Sequence, residues 1–291
     1  MMVVLMLIGV LICNQGAVVS YKTFSTVSDG NQRVAPIFMA FWTGMLGSLI
    51  TITSVIINRS YNPSMVTLIA ALVGGLGFAA AGILSIKVMA TGPFIWSVLM
   101  MSLASFLPVL YAPVFLGELI SLPQIVGVLL ILTILLIMNI KQKDDSRPFT
   151  PQWMVLAVIG MLVNGSVLCA QKTQSHFTNG GELLELLSLM FLSASFFAGM
   201  YFLLTPGTKK KIPFRTFLSP AFGLVGSIGF YNVFSMTLMG QISAAVQFPI
   251  IVGGGIVLSA FISVLLYKEH TGWRLYLSAI LLTAGVILLG Y

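Results

Sequence analysis

Charge is what this chain has least of. Its 291 residues include 14 Lys and Arg, seven Asp and Glu and two His, so that only 7% are charged. Soluble domains carry about 25%, and a chain with a mean hydropathy of +1.05 has too little polar surface to face water. A water-soluble domain is therefore excluded for most of its length. The carboxylates are Asp29, Glu118, Asp144, Asp145, Glu182, Glu185 and Glu269, and the imidazoles are His176 and His270. None falls near the middle of an apolar run. The chain thus lacks the paired carboxylates or His/Asp/Glu cluster that a membrane enzyme directs into its bundle, and we read it as no enzyme and as needing no cofactor or metal. Cysteine is as scarce. Cys13 and Cys169 each sit alone in an apolar run, without metal-ligand spacing or a disulfide framework, and read as small packing residues. The net charge of +7 is no nucleic-acid footprint, because the basic residues lie between the apolar runs, where topology signals belong. No Lys or Arg precedes the first apolar run, so the charged start of a cleaved leader is missing. That run reads as the first membrane helix.

What remains is a series of long hydrophobic segments. A hydrocarbon core about 30 Å thick needs about 20 apolar residues in a helix. The sequence offers ten such spans: 2–20, 35–57, 65–86, 92–116, 121–140, 153–171, 184–204, 216–238, 243–267 and 272–290. They are continuous rather than alternating, which favours helices over a closed barrel. The fold class is an all-α integral membrane protein. The halves, 1–140 and 153–291, are joined by the polar linker 141–152.

Those halves repeat. Asn14, Lys22, Thr23 and Ser25 match Asn164, Lys172, Thr173 and Ser175 at a spacing of 150; Gly77-Phe78 matches Gly229-Phe230 at 152; Gly117-Glu118 matches Lys268-Glu269 at 151. Five helices is an odd number, so the second half enters the membrane with the opposite orientation. This predicts two inverted five-helix repeats, an architecture that secondary transporters use for alternating access. The glycine clusters Gly74-Gly75-Leu-Gly77 and Gly253-Gly254-Gly255 lack the context of a phosphate loop; inside apolar helices they permit close packing.

In each half a Pro-containing fourth helix runs into Glu and then a final Leu/Ile/Gly-rich helix. The first copy is Pro108-Val-Leu-Tyr-Ala-Pro-Val-Phe-Leu-Gly-Glu118 followed by Gln124-Ile-Val-Gly127; the second is Phe248-Pro249 through Leu266-Tyr-Lys-Glu269 and Ala284-Gly285-Val286. This pattern resembles the EamA-like branch of the drug/metabolite transporter superfamily over essentially the whole chain. The resemblance implies a ten-helix transporter whose cavity is lined by helices 1, 3, 4, 6, 8 and 9. The superfamily moves amino acids, drugs, sugars, nucleotide derivatives and other metabolites. It makes Glu118 and Glu269 a structural signature. Each also lies just before the next helix, where a carboxylate would stabilise free N–H groups and the positive end of the dipole.

Candidate substrate-binding residues are polar or amphipathic side chains at mid-helix positions: Asn14 and Gln15, Trp96, Ser102 and Tyr111, Asn164, Tyr231 and Asn232, and Gln247. They can form a cavity of a few polar groups among aromatic walls; the bland reading is hydrogen bonding between helices, about 0.6 kcal/mol on average. Small multidrug resistance proteins resemble half of the repeat and carry a proton-exchanging Glu in their first helix. Here the position holds Asn14-Gln15, so neutral or zwitterionic substrates fit better than cationic drugs. The expectation is a secondary transporter exporting a small polar metabolite such as an amino acid, in the plasma or inner membrane. Its partners are that solute and lipid, not nucleic acid. Multidrug efflux, a polytopic enzyme acting on lipid-linked substrates and a non-transporting receptor or scaffold are the alternatives.

Lys22 and Lys172 end helices 1 and 6 on opposite faces, as snorkelling side chains or as gates for anions. The loops after helices 1, 3, 5, 7 and 9 hold Lys22, Arg33, Lys87, Lys141, Lys143, Arg147, Lys209, Lys210, Lys211, Arg215, Lys268 and Arg274; the other side holds Arg59 and Lys172. That bias puts the central linker in the cytoplasm and both termini outside, although the resemblance implies both termini inside.

Overall fold

The computed structural model describes residues 2–28, 34–58, 61–92, 97, 100–101, 103–139, 150–205 and 214–267, with scattered helical positions between 277 and 288. Regular structure among them is entirely helical. The elements are α1 (Met2–Ser28), α2 (Val34–Asn58), α3 (Met65–Thr91), α4 (Leu107–Phe115), α5 (Leu122–Asn139), α6 (Pro151–Phe177), α7 (Leu183–Leu204), α8 (Phe214–Met239) and α9 (Ala244–Tyr267). Four of these segments, Val34–Ile57, Met65–Thr91, Pro151–Phe177 and Leu183–Leu204, are long and apolar enough to cross a membrane, which marks a membrane protein. Their outer faces carry large exposed side chains such as Ile52 (57%), Ile56 (70%) and Leu72 (56%). A surface of that kind is stable against lipid and unstable against water.

Several helices outrun their apolar cores. The first was expected to end near residue 20 and continues to Ser28; the third was expected to end near 86 and continues to Thr91. Twenty-seven residues rise about 40 Å, beyond the hydrocarbon layer, so hydropathy alone underestimates them. The fourth span is instead interrupted. A 3₁₀ turn at Ala104–Phe106 precedes α4, and Leu107 N–H donates to Ala104 O. Pro108 follows directly and has no N–H for an i to i−4 bond, so the ladder tightens there.

The core lies between helices from the two halves of the chain. α1 packs mainly on α8, α2 on α7, and α3 on both α6 and α7. Trp42, Phe78 and Phe191 form an aromatic cluster at its centre, with centroids 5.2 to 6.2 Å apart and mostly edge-on contacts. Phe24 stacks on Phe38 at 3.7 Å. Close approach of α3 to α7 depends on Gly75, where a Cβ would lie 2.5 Å from Ser193 Cβ and 2.6 Å from Met190 O. Small residues allow such contacts where burial from water cannot drive helix association.

The short connections 61–64, 116–121, 178–182 and 240–243 meet at one end of the bundle. Ser64 caps α3, its hydroxyl accepting from Thr67 N–H at 3.4 Å. Glu182 reaches over from the α6–α7 connection, and its Oε2 accepts from Ser64 N–H (2.9 Å), Ser64 Oγ–H (2.8 Å) and Thr67 Oγ1–H (2.5 Å). These bonds offset the left-handed backbone of Glu182, φ 54°, which L side chains rarely adopt. Partial burial alone would raise the pKa of this carboxyl. The hydrogen bonds from Thr67 and Ser64 outweigh that and hold it below its ordinary value. At the opposite end Trp153, in the first turn of α6, donates its indole N–H to Val88 O and Ser97 Oγ, both at 3.2 Å.

Candidate functional site

A cavity of about 230 Å³ lies at the middle of the bundle. At about 30 Å³ per water it has the capacity of roughly eight waters. α1 contributes Asn14 and Gln15, α3 contributes Phe78, Ser85 and Met89, and α6 contributes Asn164 and Gln171. Met101 and Ser105 precede α4; Ile228, Tyr231 and Asn232 come from α8, and Ile251, Val252 and Gly255 from α9. None of the described lining residues is ionisable at neutral pH.

Its polar groups fall into two sets. One is tied into the protein. Gln15 Nε2 donates to Gly255 O (2.9 Å), joining α1 to α9. Gln171 Nε2 donates to Asn232 Oδ1 (3.1 Å), and Asn232 Nδ2 donates to Ile228 O (2.9 Å). Ser85 Oγ donates to Ala81 O (2.7 Å). The other set is open. Among the described residues, the side chains of Asn14, Ser105, Asn164 and Tyr231 line the cavity without a hydrogen-bond partner.

The structure thus brings together Asn14, Gln15, Asn164, Tyr231 and Asn232. Two further candidates stand elsewhere. Tyr111 bonds Thr173 through its hydroxyl at 2.8 Å and stacks on Phe115. Gln247 is fully buried between α8 and α9, where its Nε2 donates to Ser235 O (2.8 Å) and Ser235 Oγ (3.1 Å). Trp96, Ser102 and Glu269 lie outside the described residues. Gln171 joins the cavity wall from outside the sequence candidates; it follows Asn164 by two helical turns and so shares its face. Ser85 follows Phe78 at the same interval.

An ion pair at Lys172, the residue after Gln171, changes the expected roles of Glu118 and Lys172. Glu118 does not cap the next helix. α5 is capped by its own Ser121 and Gln124, with Ser121 N–H donating to Gln124 Oε1 (3.1 Å) and Gln124 N–H to Ser121 Oγ (3.4 Å), a capping box. Gly117, at φ +69°, turns the chain there. Glu118 instead accepts from Ala244 N–H at 3.0 Å, capping α9. Its other oxygen meets Lys172 Nζ at 2.7 Å. Lys172 does not snorkel: its side chain is 4% exposed, and the ammonium also donates to Met239 O (3.1 Å) and Ile242 O (3.4 Å). Three successive residues of α6 therefore reach three partners: Gln171 to α8, Lys172 to the α4–α5 and α8–α9 connections, and Thr173 to α4.

No protein-family model matches the sequence, and no curated protein matches it. A solved crystal structure is similar to it in fold, with a TM-score of 0.68 over 96% of this chain and 95% of its own, at 15% identity. At that identity the likeness extends to the fold alone.

Proposed function

We propose that this protein is a ten-helix secondary transporter of two inverted five-helix repeats, resembling the EamA-like branch, which exports a small polar metabolite without net charge by alternating access. It would act as a multi-pass protein of the plasma or inner membrane. The observation that carries this reading is the central cavity, walled by helices from both halves, with open amides and no ionised side chain among its described residues. The packing supports the repeats. Exchanging each helix with the one five places on turns the α1–α8 pair into α6–α3 and leaves α2–α7 unchanged, and all three are principal contacts. Asn14 and Asn164, paired by sequence offset, line one cavity. So do Phe78 and Tyr231, whereas Phe230 is 60% exposed; in this stretch the repeat is better matched at a spacing of 153.

Purified protein in liposomes preloaded with unlabelled solute should exchange a labelled neutral or zwitterionic metabolite faster than protein-free liposomes. Asn164→Leu should slow that exchange at least tenfold. A folded protein that exchanges no solute from a panel of amino acids, nucleobases, sugars and quaternary ammonium drugs refutes the transport reading. Exchange of the quaternary ammonium compounds alone would support multidrug efflux instead.

A further inference from the structure

We infer that the cavity is a binding site for an uncharged solute with a carboxamide, lactam or imide edge, the chemical class of a nucleobase, and that it discriminates against ions and zwitterions. This deepens the proposed function, resting on its assignment of the solute to the central cavity.

A charged solute would find no counter-charge among the described lining residues. Among the described residues, the ion pair next to the wall residue Gln171 is engaged within the protein. Each of the three N–H groups of Lys172 has an acceptor, in Glu118 Oε1, Met239 O and Ile242 O. Glu118 meets Lys172 with one oxygen and Ala244 N–H with the other. Lys172 directly follows Gln171, a wall residue, yet its charge turns away from the cavity into a closed set. A solute ion would lose its hydration without gaining a counter-charge, which is strongly unfavourable. A zwitterion meets that cost at both of its ends.

An uncharged solute finds complementary groups. A primary amide presents N–H donors and a carbonyl acceptor side by side, and so can engage a neighbouring donor and acceptor on one edge of a ligand, as asparagine does with adenine. Two such amides are open, Asn14 on α1 and Asn164 on α6, together with the Ser105 and Tyr231 hydroxyls. The tied residues Gln15, Gln171 and Asn232 border these groups and hold the wall that presents them. Phe78, Ile228, Ile251 and Val252 supply apolar surface for the faces of a ring. A volume of about 230 Å³ has room for one or two fused rings.

Binding can be measured apart from transport. Thermal shift and calorimetry on the full chain in detergent would compare uracil, hypoxanthine and nicotinamide with leucine, glutamine and choline at equal concentration. The expected result is binding of at least one neutral compound, at least tenfold tighter than any zwitterion or cation. Asn14→Leu and Asn164→Leu should each weaken it at least tenfold. Neither residue makes an internal hydrogen bond among the described residues, and an unchanged melting temperature without ligand confirms that each variant is folded. Tighter binding of leucine, glutamine or choline, no binding of any neutral compound at millimolar concentration, or neutral binding that survives both substitutions would each overturn the inference. Neutral binding without exchange in liposomes would leave the site in place and remove the transport reading. Cavity-dependent exchange of an amino acid, with no neutral binding, would do the reverse.

Discussion

Glu118→Gln should destabilise the protein more than Lys172→Met, although both remove the same ion pair. Glu118→Gln leaves a cation whose side chain is 4% exposed, with only two carbonyls for support. Breaking a buried pair so that one charge is left uncompensated costs about 3–5 kcal/mol. Glutamine also has one acceptor oxygen and no charge, so it cannot meet Lys172 and Ala244 N–H on separate oxygens as the carboxylate does. Lys172→Met leaves a carboxylate that is 20% exposed and still accepts from Ala244 N–H at the positive end of α9. Water and that dipole continue to stabilise it, so the loss is on the order of 2 kcal/mol, most of it the unpaired carbonyls of Met239 and Ile242. The double variant should cost less than the sum of the two, because removing both charges leaves neither stranded. Unfolding in mild-detergent micelles titrated with SDS and followed by far-UV circular dichroism gives all three free energies by linear extrapolation. A cost for Glu118→Gln under about 1 kcal/mol, a larger cost for Lys172→Met, or additivity of the two would each refute a stranded Lys172 cation.

Glu182 has a depressed pKa in the folded state, so its stabilisation is complete well above the ordinary carboxylate value of 4.5 and is lost as pH falls through the folded value. Glu182→Gln should therefore lower the melting temperature at pH 7, and the difference from the unmutated protein should vanish in acid; a constant difference across that range contradicts the assignment. Trp153→Phe removes the indole N–H bonds but leaves Val88 O with Gly92 N–H and Ser97 Oγ–H, so the cost is about 2 kcal/mol, divided between a lost hydrogen bond and a smaller ring. Gly75→Ala drives a methyl into Ser193 Cβ and the Met190 carbonyl. It should cost about 1–3 kcal/mol by overpacking in the SDS titration, while Gly199→Ala, with nothing within 4 Å of its added methyl, should change little.

The sequence by itself determined the solvent, the helical class and the polar inventory. Apolar runs of about 20 residues can satisfy their backbone in lipid only as helices, so α2, α7 and α9 begin and end within two residues of where hydropathy puts them. A spacing of 150 residues relates Asn14 to Asn164 in the sequence, and both line the cavity. Tertiary structure decided the partners. Whether Gln247 faces a cavity or bonds Ser235, whether Glu118 caps α5 or α9, and whether Lys172 reaches the interface or the Glu118 carboxylate depend on which helices become neighbours and how each is rotated. Sequence periodicity supplies only half of that information. It shows which residues share a helix face, as Gln171 shares that of Asn164, but the facing surface comes from a helix many residues away. Only the packed bundle brings the two together.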